Sequence, residues 1–162
     1  QDVIKKTDPN ITAAALALAG GSILAYASIF NGLGRLFWAW TSDAIGRRNV
    51  FITMFITQAA LYIILPHIGS EFLFTLFACY LLACYGGGFA TMPAFAADSF
   101  GPAYIGKVYG IMLTAWGAAG IVGPLVFAVI KGIALYVAAG LLIVGLLLAL
   151  SFQRPKRKEA KA

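Results

Sequence analysis

Asn31-Gly32-Leu33-Gly34-Arg35-Leu36-Phe37-Trp38-Ala39-Trp40-Thr41-Ser42-Asp43-Ala44-Ile45-Gly46-Arg47-Arg48 is the stretch on which the reading of this chain turns. Its first part closes an apolar run that begins near residue 11, and Arg35 stands inside that run as its charged residue. A guanidinium centred in a membrane helix costs roughly 2.5 to 3.5 kcal/mol on insertion scales, so it normally faces a watery cavity, a partner or an anionic ligand. The expectation is a membrane protein that handles an anion. The second part, from Thr41 onward, is a polar break before the next apolar run.

The same alternation continues outward from this stretch. Apolar runs occupy about residues 11–40, 50–65, 72–97, 109–130 and 133–152, each suited to crossing a hydrocarbon core at roughly 20 residues per span. The expected fold is all-α, a polytopic membrane bundle of five transmembrane helices over residues 11–152. Residues 1–10 read as an external loop remnant and residues 153–162 as a basic tail. With 61% hydrophobic residues, 11% charged residues and a mean hydropathy of +0.88, a chain of 162 residues has too little polar surface for a soluble globule.

The net charge of +6 does not point to nucleic acid. The basic residues lie between apolar runs and in the tail, at Arg154, Lys156, Arg157, Lys158 and Lys161, as the flanks of membrane helices do, so lipids and not RNA or DNA are the expected partners. Placing Arg47 and Arg48 in the cytoplasm places Lys107 and the tail there too, against Lys5, Lys6 and Lys131 outside. The C-terminus is thus expected to be cytoplasmic, in a plasma or bacterial inner membrane. Cys79 and Cys84 fall within one apolar run on different helix faces, which reads as packing and not as a disulfide.

Small residues suggest close helix contacts. The fourth run carries Gly110, Gly117, Gly120 and Gly123 before Pro124, and the third carries Gly86, Gly87 and Gly88 before Pro93. Such residues let backbones approach in lipid. Gly86, Gly87, Gly88, Pro93, Gly120, Gly123 and Pro124 are also expected to act as bending points, since glycine and proline weaken the helical ladder.

In the break itself, Gly46 permits a sharp turn, Asp43 offers a negative group to an arginine or a helix N-terminus, and Arg47 and Arg48 suit an anionic leaflet. With Asp43, Gly46, Arg47 and Arg48 at these offsets, the loop resembles that of the major facilitator superfamily, whose signature reads G-x-x-x-D-x-x-G-R-[RK]. Ala39 stands where the signature has glycine, and Ala44 where a basic residue is usual. Asn31-Gly32-Leu33-Gly34-Arg35 is similar to the eighth helix of monocarboxylate transporters and of the oxalate/formate antiporter family. The stretch from Tyr85-Gly86-Gly87-Gly88 through Met92-Pro93 to Asp98-Ser99-Phe100-Gly101 looks like the tenth helix of the latter. Tyr109-Gly110, Thr114-Ala115-Trp116-Gly117-Ala118-Ala119-Gly120 and Gly123-Pro124 resemble its eleventh.

The resemblance implies a twelve-helix transporter of two halves that rock about a central site, of which these runs would be helices eight to twelve. It implies a small organic anion of the formate, oxalate, pyruvate or lactate class as partner, together with the N-terminal half of the same transporter, which this chain lacks. Arg35 is the expected carboxylate clamp, with Asn31 one turn earlier on the same face, and Trp116, Tyr109 and Thr114 lining the cavity. The oxalate antiporter pairs its arginine with a lysine in the eleventh helix, whereas no Lys or Arg occurs here between Lys107 and Lys131, which favours a monocarboxylate.

Elsewhere, Asp98 is expected to pair with Lys107 or cap the next helix, and His67 to be solvated. No Ser/His/Asp set, metal-ligand cluster or phosphate loop is present, so neither an enzyme nor a cofactor is expected. The competing expectation is a non-transporting membrane scaffold in which Arg35 pairs with a partner's acid.

Overall fold

Inside lipid no water is available to bond backbone N–H and C=O groups, so an apolar run of about 20 residues satisfies them within itself as an α-helix. The computed structural model describes residues 10–130 and 132–153. Among these, five α-helices follow one another: α1 (Ala13–Ile45), α2 (Arg47–Ile64), α3 (Glu71–Phe100), α4 (Ile105–Val129) and α5 (Ala134–Ser151). Single 3₁₀ turns at Leu65–His67 and Pro102–Tyr104 extend α2 and precede α4. All five helices are long and apolar enough to cross a membrane. The basic tail at 154–162, the opening residues 1–9 and Lys131 lie outside the described residues.

The helices outrun the apolar runs. Residues 41–49 read as a polar connector, yet α1 continues to Ile45 and α2 begins at Arg47, so Gly46 alone is non-helical. Gly46 has φ 90°, and its N–H reaches back to the Ser42 carbonyl at 3.1 Å. Gly101 repeats the device at the end of α3, with φ 90° and its N–H on the Ala97 carbonyl at 2.8 Å. Polar side chains do not end a helix; torsions that only glycine adopts at low cost do. At the other end of α1, Thr12 caps the first turn, its hydroxyl accepting from the Ala15 N–H at 3.3 Å.

α1 and α3 share the most extensive interface of the bundle. Missing side chains make it possible. A Cβ on Gly34 would collide with the Ala83 backbone, one on Gly86 with the Asn31 carbonyl, and one on Gly87 with the Trp38 side chain. Beside this seam, Trp38, Val50, Met54 and Cys84 form a buried cluster from α1, α2 and α3, with Phe51 and Tyr80 packed against it. The Tyr80 hydroxyl donates to Thr57 at 2.7 Å and ties α3 to α2. Cys79 and Cys84 are both buried and free.

α5 packs on α2, and α4 meets the bundle chiefly through α3. No residue of α4 is buried, and Cβ atoms on Gly110, Gly117, Gly120 or Gly123 would meet open space. The close approach expected of small residues is therefore made by Gly34, Gly86 and Gly87. α3 runs unbroken through Gly86, Gly87, Gly88 and Pro93, as α4 does through Gly120, Gly123 and Pro124.

Substitution separates these roles. Gly86→Ala forces α1 off α3 and is expected to cost about 1 to 3 kcal/mol by overpacking, whereas Gly88→Ala meets open space and stays within about 0.5 kcal/mol. Thermal unfolding in detergent of the full-length protein carrying this chain reads the difference. Equal midpoints for the two variants would contradict the packing described.

Candidate functional site

Successive helix residues turn by roughly 100°, which places every side chain of α1 relative to its partner helix. Ala27, Gly34, Trp38 and Ser42 are buried and form the face turned to α3. Tyr26, Leu33, Phe37 and Trp40 are exposed and form an apolar face on the far side. Arg35 belongs to neither. It lies nearly opposite the apolar face, on a flank shared with Asn31 one turn earlier and Ser28 two turns earlier. Arg35 is exposed, and among the described residues no hydrogen bond or ion pair engages it.

Asn31 shows which side of the seam this flank borders. Its Nδ2 donates to the Leu82 carbonyl at 3.2 Å, and its backbone lies against Gly86. On α3, the turn that leads from Gly87 past Gly86 to Leu82 leads next to Phe89 and Tyr85, away from the α2 side where Cys84 and Tyr80 sit. Arg35 and the pair Tyr85 and Phe89 thus border the same side of the α1–α3 seam.

α4 contributes to that side. The Trp116 indole Nε1 donates to the Tyr85 hydroxyl at 3.0 Å, and its ring meets Phe89 edge to face at 5.3 Å between centroids. Phe89 meets Tyr85 in the same manner at 5.2 Å. Tyr85 and Trp116 remain about half exposed. Because the Tyr85 oxygen accepts from Trp116, its own O–H is left to donate elsewhere. Tyr109 lies two turns before Trp116 on the same α4 face. Thr114 does not join them: two residues from Trp116 it points to nearly the opposite face, and its hydroxyl donates to the Ile111 carbonyl at 2.7 Å.

Arg35, Asn31, Trp116 and Tyr109 therefore fit one side of the bundle, and Thr114 departs from the expectation. Tyr85 and Phe89 are functional candidates that sequence reasoning passed over as part of a glycine-rich helix. The signal was available in Tyr85, an aromatic with a polar tip three residues after Leu82 in mid-membrane. Together the groups offer a cation that can clamp a carboxylate with two parallel hydrogen bonds, beside an aromatic wall for an apolar substituent. Among the described residues no group of His, Cys, Asp or Glu could hold a metal ion.

The charged residues near Gly46 do structural work of their own. Arg47 pairs with Asp43 at 2.5 Å and with Asp98 at the end of α3 at 3.4 Å, and donates to the buried Ser42 hydroxyl at 2.9 Å. Arg48 donates to the Ala149 carbonyl at 2.8 Å and to that of Leu150, capping the last turn of α5. Both arginines also join helix ends, a role that the sequence reading did not foresee. Asp98 takes Arg47 as its partner, in place of Lys107 or the next helix N-terminus. His67 is not simply solvated: its Nε2 lies 3.1 Å from the Tyr136 hydroxyl on α5.

Comparison with known proteins places the chain in a family. The model of the Major Facilitator Superfamily matches residues 6–162. The "Oxalate:formate antiporter" of Oxalobacter formigenes is 33% identical over 67% of this chain and 27% of its own length. The "Apicoplast pyruvate carrier 1" of Toxoplasma gondii is 32% identical over 63% of this chain and 18% of its own length. The chain thus spans less than a third of either relative. No solved structure matches it.

The contact between Arg47 and Asp98 is open to measurement. Both side chains are partly exposed, so a double-mutant cycle of Arg47→Gln and Asp98→Asn is expected to show a coupling of about 0.5 to 1 kcal/mol in thermal unfolding. Strictly additive effects would remove the link between α2 and α3.

Proposed function

The chain belongs to the Major Facilitator Superfamily, a family of membrane transporters and not of enzymes, and from this premise we propose that it serves a transporter of small carboxylate anions. The observation that carries the proposal is Arg35: a guanidinium on a membrane helix, nearly opposite that helix's apolar face and on the side of the seam bordered by Tyr85, Phe89 and Trp116. The names of the two relatives, an oxalate:formate antiporter and a pyruvate carrier, favour the same substrate class.

In this reading the five helices correspond to helices eight to twelve of a twelve-helix transporter with a cytoplasmic C-terminus. The site is completed by the other half of the same protein. Arg35 clamps the carboxylate, Asn31 holds the Arg35 flank against α3, and Tyr85 and Trp116 cover the rest of the substrate. Entry of an anion neutralises a charge that is costly in the membrane, so the substrate stabilises the closed site more than an uncharged analogue does. The α4 face around Trp116 carries no second cation, which suits a monocarboxylate of the formate, lactate or pyruvate kind better than a dicarboxylate.

Alternating access moves this half against the other about the site. Gly86, Gly87, Gly88 and Pro93 on α3, and Gly120, Gly123 and Pro124 on α4, are proposed to yield during that motion, because each proline leaves the carbonyl four residues before it without its helical donor. Asp43, Gly46, Arg47 and Arg48 are proposed to fasten the helix ends in one state and to release them in another. The family match is what favours this reading over a non-transporting scaffold in which Arg35 pairs with a partner's acid.

Uptake of radiolabelled formate, lactate, pyruvate and oxalate by the full-length protein tests the assignment. Two charge-assisted hydrogen bonds are at stake, so Arg35→Ala is expected to weaken carboxylate affinity on the order of a hundredfold or more. Arg35→Lys keeps a charge without the planar fork, so it restores part of the affinity and loses discrimination among carboxylates. Unchanged affinity in Arg35→Ala would refute the clamp.

A further inference from the structure

A second concave feature lies away from Arg35 and Asn31, near the end of the bundle that holds Gly46. It is a cleft of about 330 Å³ between α2, α3, α4 and α5. Phe51, Phe55, Met92, Phe95, Met112 and Phe152 form most of its wall, and Arg48 is the charged residue that lines it. Such a wall suits a small hydrophilic anion poorly, since it offers no hydrogen bonds to replace water. Methionines and phenylalanines do suit a flexible hydrocarbon chain, which they follow by small adjustments.

One polar observation marks the mouth. Arg48 is fixed there by the Ala149 and Leu150 carbonyls, and those two bonds leave further N–H groups of its guanidinium to donate. Asp43 and Asp98 both attend to Arg47, so among the described residues no carboxylate is paired with Arg48.

We propose that this cleft is a binding site for one anionic phospholipid, an acyl chain filling the apolar part and the phosphate region lying at the mouth beside Arg48. Charge selects the lipid. Among the described residues Arg48 has no acidic partner, and Lys107 stands in the first turn of α4 at the same end of the bundle. Basic pockets between membrane helices collect anionic headgroups for this reason. The proposal stands apart from the carboxylate reading, since it uses neither Arg35 nor the aromatic group around Trp116.

The test uses the full-length protein in mild detergent, titrated with phosphatidylglycerol or phosphatidylcholine of matched acyl chains, with bound lipid counted by native mass spectrometry. One phosphatidylglycerol is expected to be retained, with a preference over phosphatidylcholine of about fivefold or more, as one cation beside an anionic headgroup supplies. Met112→Trp fills the cleft and is expected to abolish retention. Arg48→Gln is expected to remove the headgroup preference. Should Arg48→Gln fail to fold, Met112→Trp decides the matter. Equal retention in Met112→Trp and the unsubstituted protein overturns the proposal. So does the absence of retained lipid in the unsubstituted protein, as when another helix of the same polypeptide fills the cleft.

Discussion

In lipid, two apolar helices gain nothing from hiding from water, so α1 and α3 hold each other only as closely as their smallest side chains allow. Gly34 against Ala83, Gly86 against Asn31 and Gly87 against Trp38 bring the two backbones into contact along several turns. Dispersion and the Asn31 amide bond to the Leu82 carbonyl then act at short range. The rotation of α1 about its axis is set by this contact. A different rotation would carry Arg35 off the flank it shares with Asn31, toward the face of Tyr26, Leu33 and Phe37 or into the seam.

The placement of Arg35 is therefore a packing result before it is a functional one. The glycines that seat α1 on α3 also determine which flank of each helix is left open, and on that flank stand Asn31, Tyr85 and Phe89. Trp116 extends the surface onto α4 through a hydrogen bond and a ring contact, both made to α3 residues one turn apart. The candidate site is thus held by α3, the helix with the most extensive packing in the bundle.

Much of this was legible before any coordinates. Length and hydropathy are local properties, and they mark the five helices. A charge in an apolar run is conspicuous for the same reason, so Arg35 stands out. Contacts between residues distant in sequence are another matter. Asp98 finds Arg47, 51 positions earlier, because Gly46 and Gly101 bring the ends of α1 and α3 to one place, and no spacing rule contains that fact. Arg48 reaches α5 across 101 positions for a similar reason. Thr114 was grouped with Trp116 by proximity in sequence, although two residues on a helix face nearly opposite ways. Tyr85 and Phe89 went unnoticed because the glycines beside them drew the argument toward flexibility.

Gly46 has a mechanical consequence. Two membrane-crossing rods joined through a single residue have one φ and one ψ between them, so α1 cannot slide along its own axis without dragging α2. Tyr80 and Arg47 fasten that hairpin to α3. The three helices are fastened into one unit, and among the described residues α4 is tied to it by the Trp116–Tyr85 hydrogen bond and the Phe89–Trp116 ring contact.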